Sequence, residues 1–206
     1  MRTQNFLMAL TSLFAIGTSA FAQSTTTPLI RALDAQQSGP SYSYTVLYEA
    51  EDIDAVAHVH PTNNIGERVI VSRPGREQWS KDFKSQIAEL EAEPEGILWC
   101  SSFATNIPRH DAQLVSETEL TVTYQFEPVP DPGEADDAKL MKHLVGEVII
   151  DKMRPAILHF KMHAPKSFKP MFLAKIKVFE MNASCERSPD GRTYLSELEI
   201  LSLIHI

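Results

Sequence analysis

Between Thr118 and Glu127 apolar and polar side chains alternate almost without a break. Leu120, Val122, Tyr124 and Phe126 fall on one face, and Glu119, Thr121, Thr123, Gln125 and Glu127 on the other. Successive side chains of an extended chain point to opposite faces, so the segment predicts a strand with one dry and one wet face. The same split recurs at Tyr42, Tyr44, Val46 and Tyr48 against Ser43, Thr45 and Glu49. It returns at Leu158, Phe160 and Met162 against His159, Lys161 and His163. One-sided alternation marks an antiparallel sheet rather than a parallel sheet covered on both faces.

Further strands are expected at Ile53–His60, Glu67–Ser72, Ile97–Phe103, Gly146–Ile150, Met171–Asn182 and Thr193–Ile200. Asn63-Asn64-Ile65-Gly66, Asp151-Lys152-Met153-Arg154-Pro155 and Ser188-Pro189-Asp190-Gly191 carry turn chemistry suited to short hairpins. Ile176 and Val178 share a face, but the apolar phase then moves to Phe179 and Met181, which calls for a bulge or bend.

Two helices interrupt the strands. From Arg76 to Ala92, the positions Trp79, Phe83, Ile87 and Leu90 make an apolar stripe, ended by Glu93-Pro94-Glu95-Gly96. A shorter helix is expected over Glu134–Leu144, with Ala138, Met141 and Leu144 inward, acidic residues near its start and Lys142 and His143 near its end. Before it, Pro128 to Gly133 reads as a stiff loop. A one-faced sheet must cover its apolar side. The expected fold is therefore mainly β (α+β): a curved antiparallel sheet or open half-barrel, with one long and one short helix over its concave side.

Both chain ends change how much of the sequence enters this fold. Arg2 precedes an apolar stretch from Phe6 to Ile16, and Ala20-Phe21-Ala22 offers small residues at a cleavage site. Residues 1–22 thus read as a signal peptide, the alternative being a buried N-terminal helix. Residues 23–41, rich in Gln, Ser, Thr and Pro, read as a polar leader or a loose first helix around Leu29 to Leu33. At the other end, Leu201-Ser202-Leu203-Ile204-His205-Ile206 can be written in codons as CTG TCT CTT ATA CAC ATC. That is the end sequence of a transposase used to fragment DNA for sequencing, so residues 201–206 are read as an adapter artefact. One curved-sheet domain, cut short at its C-terminus, is then expected over 42–200, in the periplasm or secreted.

Composition narrows the function. The net charge is −8, and removing Arg2 with the signal peptide takes it to about −9. Such a balance argues against nucleic acid and against an anionic membrane surface, though not against lipid held in an internal cavity. Cys100 and Cys185 are the two cysteines. In an oxidising compartment they can bridge, stay as buried thiols, or pair with a cysteine beyond the chain given. His58-Val59-His60 and the pair His159 and His163 place imidazoles on shared strand faces, as metal sites do. Lys161 between the second pair opposes a cation, however, and the acidic run Glu49 to Asp54, which could join His58 and His60, reads more simply as a wet loop; no metal and no cofactor is expected. There is no Gly-x-Ser-x-Gly elbow, no phosphate-binding glycine loop and no His-Glu-x-x-His motif. No catalytic residue is assigned, and the chain is not expected to be an enzyme. Asn182-Ala183-Ser184 fits a glycosylation triplet, and Ser72-Arg73-Pro74-Gly75 with Arg76 offers a possible anion contact or a solvated turn.

The signal segment, curved meander, covering helices and aromatic inward faces, with Gly146-Glu147-Val148-Ile149-Ile150-Asp151 leading into a hairpin, resemble the bacterial periplasmic lipoprotein-carrier fold. Ala164-Pro165-Lys166-Ser167-Phe168-Lys169-Pro170 is similar to segments of exported bacterial domains of unknown function. No carrier residue transfers position by position. The resemblance implies an apolar cavity, and with it a carrier or binding protein for a lipid, a lipoprotein acyl chain or another apolar ligand, with lipid or acylated protein as partner. Tyr44, Val46, Trp79, Phe83, Tyr124, Phe126 and Phe160 are the expected lining, and each would serve equally well as core filling. The alternative is an exported structural or protein-interaction domain without a small ligand; an envelope hydrolase using histidine or cysteine is a more distant third. A roomy cavity marks the first, a filled core the second, and a tight His/Asp/Cys cluster in a cleft the third.

Overall fold

The computed structural model describes residues 27–35, 38–50, 53–95, 98–130, 137–171 and 174–205. The expected signal peptide lies outside them. All strand pairing is antiparallel, but it divides into two sheets. The strands β1 (Tyr44–Ala50), β2 (Ile53–Val59) and β3 (Val69–Arg73) form a three-stranded meander. A seven-stranded sheet holds β4 (Gln113–Glu117), β5 (Thr121–Phe126), β6 (Val145–Asp151), β7 (Ile157–His163), β8 (Phe168–Met171), β9 (Ala174–Arg187) and β10 (Thr193–His205). Its order is β10-β9-β7-β6-β5-β4, with β8 beside β9. The fold is mainly β and open, with no closed barrel among the described residues.

Local chemistry sets the strand boundaries. Thr118 Oγ1 accepts hydrogen bonds from the Leu120 and Thr121 amides at 3.2 and 2.9 Å, which closes a turn and starts β5 at Thr121. Leu120, expected inward, is therefore exposed at a hairpin tip. Gly66 and Gly191 take positive φ of 92° and 91° in the β2–β3 and β9–β10 turns, a conformation that glycine adopts without steric cost. The turn between β6 and β7 is held by Asp151 Oδ1, which accepts from the Met153 and Arg154 amides. The phase change in β9 is a register shift: Val178 pairs with Leu203 and Ile176 with Ile204, leaving Lys177 as the extra residue. A second shift admits Leu158 as the extra residue of β7, so Ile157 takes the buried place expected of Leu158. Leu201–His205 continue β10 against Lys175–Glu180.

Helices cover the sheets differently from the expectation. The long helix α2 (Lys81–Ala92) is shorter than expected because Ser80 caps it, accepting from the Phe83 amide at 3.1 Å. It lies on the three-stranded sheet rather than on β5: the Phe83 ring stands 6.1 Å from that of Tyr48 and 5.4 Å from that of Trp79. Glu91 fixes this arrangement by accepting from the backbone N–H groups of Gly66, Arg68 and Val69. Arg68 replies by donating to the Glu91 and Ala92 carbonyls at the end of α2.

The concave face of the large sheet is covered by α1 (Pro28–Leu33), by a 3-10 segment (Cys100–Asn106) and by Leu140, Met141 and Leu144 in and after α3 (Asp137–Met141). Part of the expected polar leader thus contributes Leu29, Ala32 and Leu33 to the core. Of the expected strand Ile97–Phe103, the described residues 98–103 form instead one bridge from Trp99 to Tyr194 followed by the 3-10 turn. It turns because Cys100 and Phe103, which alternation would place on opposite faces, both reach the same core. Ala138, expected inward, is exposed, and 131–136 lie outside the described residues.

Candidate functional site

The seven residues expected to line one cavity separate into two groups. Tyr44 and Val46 share the covered face of β1 with Tyr48 and pair across to Val59 and Ala57. Trp79 and Phe83 belong to this small layer as well. Trp79 Nε1 donates to the Pro74 carbonyl at 3.1 Å. The Tyr44 hydroxyl donates to the Pro94 carbonyl. Burial, aided by the nearby negative charge of Glu95, pushes the Tyr44 phenol up to about 12.

Tyr124, Phe126 and Phe160 lie in the large sheet, where they are packed as core. Phe103 stacks on Phe160 with ring centroids 4.6 Å apart, and Phe126 lies 6.1 Å from Phe160 on another side. Gly146, cross-strand from Phe126, is what lets that ring lie flat on β6: a Cβ there would stand 2.3 Å from a ring carbon. A disulfide between Cys100 and Cys185, with Cα atoms 6.2 Å apart, ties the 3-10 segment over the sheet. Two surface clefts lie half open to solvent, and neither is lined by any of the seven residues.

Cross-strand rows show where the sheet is left open. One row on the concave face runs Leu114, Tyr124, Val148, Phe160, Ala183 and Leu198 across six strands. Fractional exposure along it is 54, 7, 0, 0, 0 and 44 %. The next row runs Phe126, Gly146, Met162, Met181 and Ile200; it is covered at Phe126 and 60 % exposed at Ile200. The cover therefore stops between β9 and β10. Leu195 still reaches the core, whereas Leu198 and Ile200 extend its apolar surface into solvent.

The same stretch of β10 has a free edge. Tyr194 bridges Trp99, and the Leu195 amide donates to the Leu98 carbonyl at 2.7 Å. From Ser196 onward β10 pairs with β9 alone among the described residues. On the opposite, convex face Glu197 pairs with Ser184 and Glu199 with Asn182. Beside them Lys161 donates to Glu180 at 2.7 Å, and Asn182 also donates to that carboxylate at 3.2 Å. The hydrogen bond from Lys161, then that from Asn182, holds the Glu180 carboxyl below its usual range.

The histidines do not converge. His58 Nδ1 meets Thr45 Oγ1 at 3.0 Å, and His60 Nδ1 meets Ser43 Oγ at 3.1 Å, all on the exposed face of the small sheet. No group of three or more His, Cys, Asp or Glu side chains gathers for a metal among the described residues. Nor is any helix among them long and apolar enough to cross a membrane.

Sequence reading did not single out Leu198 and Ile200 as more than strand residues. Their alternation with Glu197 and Glu199 was the available signal, but it is the same whether the apolar face is covered or bare. Comparison with protein-family models, with curated proteins and with solved structures found no match, so the surface itself carries the functional argument.

Proposed function

We propose that this protein is an exported, non-catalytic interaction domain that takes an extended polypeptide segment as an added strand along β10. The observation that carries this reading is the coincidence, over Ser196–Ile200, of a strand edge that no described residue pairs with and two exposed apolar side chains on the concave face. An exposed edge without lysine or proline is a template for strand addition, in which backbone bonds supply affinity and alternate side chains supply selectivity. All five residues precede the segment read as foreign, and because the sequence reads as continuing past Ile200, the test uses the full-length protein, in which the chain's own following strand is the competing occupant of this edge. Glu197 and Glu199 set the chemistry of the partner: apolar residues against Leu198 and Ile200, and lysine or arginine on the alternate, convex-facing positions. A second copy fits poorly, because antiparallel β10–β10 pairing centred on Leu198 sets Glu197 opposite Glu199, and like charges directly opposite destabilise. The disulfide supports a compartment that permits one.

The lipid-carrier reading is the second proposal, and the open apolar end of the sheet is where it would now place an acyl chain. Selection from a displayed library of extended peptides separates the two. Enrichment of alternating apolar and basic residues is expected, with binding lost in the Leu198→Lys, Ile200→Lys double variant, since inward-pointing charges block a strand edge. Unchanged peptide binding by that variant would overturn strand addition. Recovery of lipid in molar proportion from the native protein would replace it with carriage.

A further inference from the structure

A second surface feature lies far from β10's free edge in chemistry. Between α1, the 3-10 segment and the β6–β7 and β9–β10 turns is a surface cleft of roughly 580 Å³, half open to solvent. Its floor is apolar, with Ala35, Pro40 and Pro155 accessible beside the nearly covered Ala32, Ala156 and Ile157. Its walls carry Arg154, Arg187 and Arg192. From the structure we infer that this cleft binds a small organic monocarboxylate, with the carboxylate held by Arg154 and Arg187 and the hydrocarbon body on the apolar floor.

The three arginines are not equivalent. Arg192 is committed: it donates to Asp190 at 2.7 Å and to the Pro40 carbonyl, and its guanidinium lies 3.5 Å over the Trp99 ring. Arg187 is fixed but not exhausted. It donates through Nη2 to Asp151 at 2.7 Å and to the Arg154 carbonyl at 2.5 Å, and through Nη1 to the Gly191 carbonyl at 2.9 Å. A guanidinium has five N–H donors, so its Nε–H and one Nη1 hydrogen remain. That side chain is 18 % exposed and its Nε is not sealed from solvent, so an incoming acceptor can reach it. Asp151 is occupied: besides Arg187 it serves the Met153 and Arg154 amides. Burial would raise its carboxyl, but those hydrogen bonds and the Arg187 charge outweigh it and hold the group below its usual range. The Arg154 guanidinium is exposed at the rim and makes no side-chain hydrogen bond or ion pair with the described residues.

Charge selects among anions. Three guanidiniums stand against Asp151 and Asp190, an excess of one positive charge in a chain of net charge −8. One carboxylate neutralises that excess, and Arg presents the planar fork that matches it. A phosphate dianion would leave the site negative beside two aspartates. The apolar floor calls for a hydrocarbon body, which inorganic anions lack.

The test titrates the intact, oxidised protein with hexanoate, hexanamide and inorganic phosphate, following arginine Nε–H resonances and binding heat. Hexanoate is expected to shift the Arg187 Nε–H signal saturably, while hexanamide and phosphate bind at least tenfold more weakly. Arg154→Gln should weaken hexanoate tenfold or more without changing the melting temperature, and Arg154→Lys should restore part of the loss. The Leu198→Lys, Ile200→Lys variant should bind hexanoate as the wild type does, which keeps this site separate from the strand edge. Equal binding of hexanamide, tighter binding of phosphate, an unaffected Arg154→Gln variant or no saturable shift would each overturn the inference.

Discussion

Phe126→Ala, read together with Gly146→Ala, measures whether the concave face is filled. Phe126 is 4 % exposed, and its ring rests on the bare backbone of Gly146. Truncating a filled-core phenylalanine costs about 3–5 kcal/mol, the lost transfer energy plus the cavity left behind. Gly146→Ala alone drives a methyl group to 2.3 Å from the ring, so either the ring or β6 must move. Overpacking of this kind costs about 1–3 kcal/mol. Once the ring is gone the methyl enters the vacated space, and alanine also suits a strand better than glycine does. The double variant should therefore be more stable than the sum of single effects by about 1–3 kcal/mol, within the range of directly contacting pairs. Urea unfolding of the oxidised protein, with all four members of the cycle fitted for midpoint and slope, supplies the energies. A Phe126→Ala cost below about 1.5 kcal/mol, or strictly additive effects, would refute the filled core and restore a ligand cavity beneath β5.

Two further outcomes follow from features on either side of that core. Replacing Cys100 and Cys185 by alanine opens a loop closed over a sequence separation of 85, and the chain-entropy model sets the loss at up to about 4.5 kcal/mol; unchanged thermal unfolding under oxidising conditions would show that the cover does not depend on the bridge. Tyr44 should form phenolate at a pH of about 12 rather than 10, followed by ultraviolet absorbance. Its raised value means that its contribution is fully present below the unfolded value near 10 and is lost as pH rises through about 12; one phenol fewer titrating late in Tyr44→Phe would identify it, and an unchanged titration would refute the assignment.

Strands buried on one face were readable because their residues sample two environments. Val122, Tyr124 and Phe126 are buried, and Thr121 and Gln125 are not. β4 escaped notice because all five of its positions are exposed, so no period survives in Gln113–Glu117. The hairpin turns carried their own chemistry in Gly66, Asp151 and Gly191. Partnership between layers did not. The stripe Trp79, Phe83, Ile87 and Leu90 predicts that α2 is covered on one side but is silent on the choice between Tyr48 and Tyr124. That choice is made by tertiary bonds such as those of Glu91. The arginine cleft was illegible for a related reason: Arg154 lies in the β6–β7 turn, Arg187 ends β9 and Arg192 lies in the β9–β10 turn, and only the three-dimensional path brings them to one cleft.

The exchange between Glu91 and Arg68 has a further consequence. Glu91 supplies the acceptors for amides at the tip and start of β3, and Arg68 supplies a donor for the carbonyls that α2 leaves open at its C-terminus. Neither element completes its own hydrogen bonding without the other. Fraying of the helix end therefore strips protection from the Arg68 and Val69 amides, and opening of the hairpin leaves the Ala92 carbonyl bare. The β2–β3 hairpin and the last turn of α2 thus form one cooperative unit, whose amides exchange with solvent at a common rate although more than twenty residues of chain separate them.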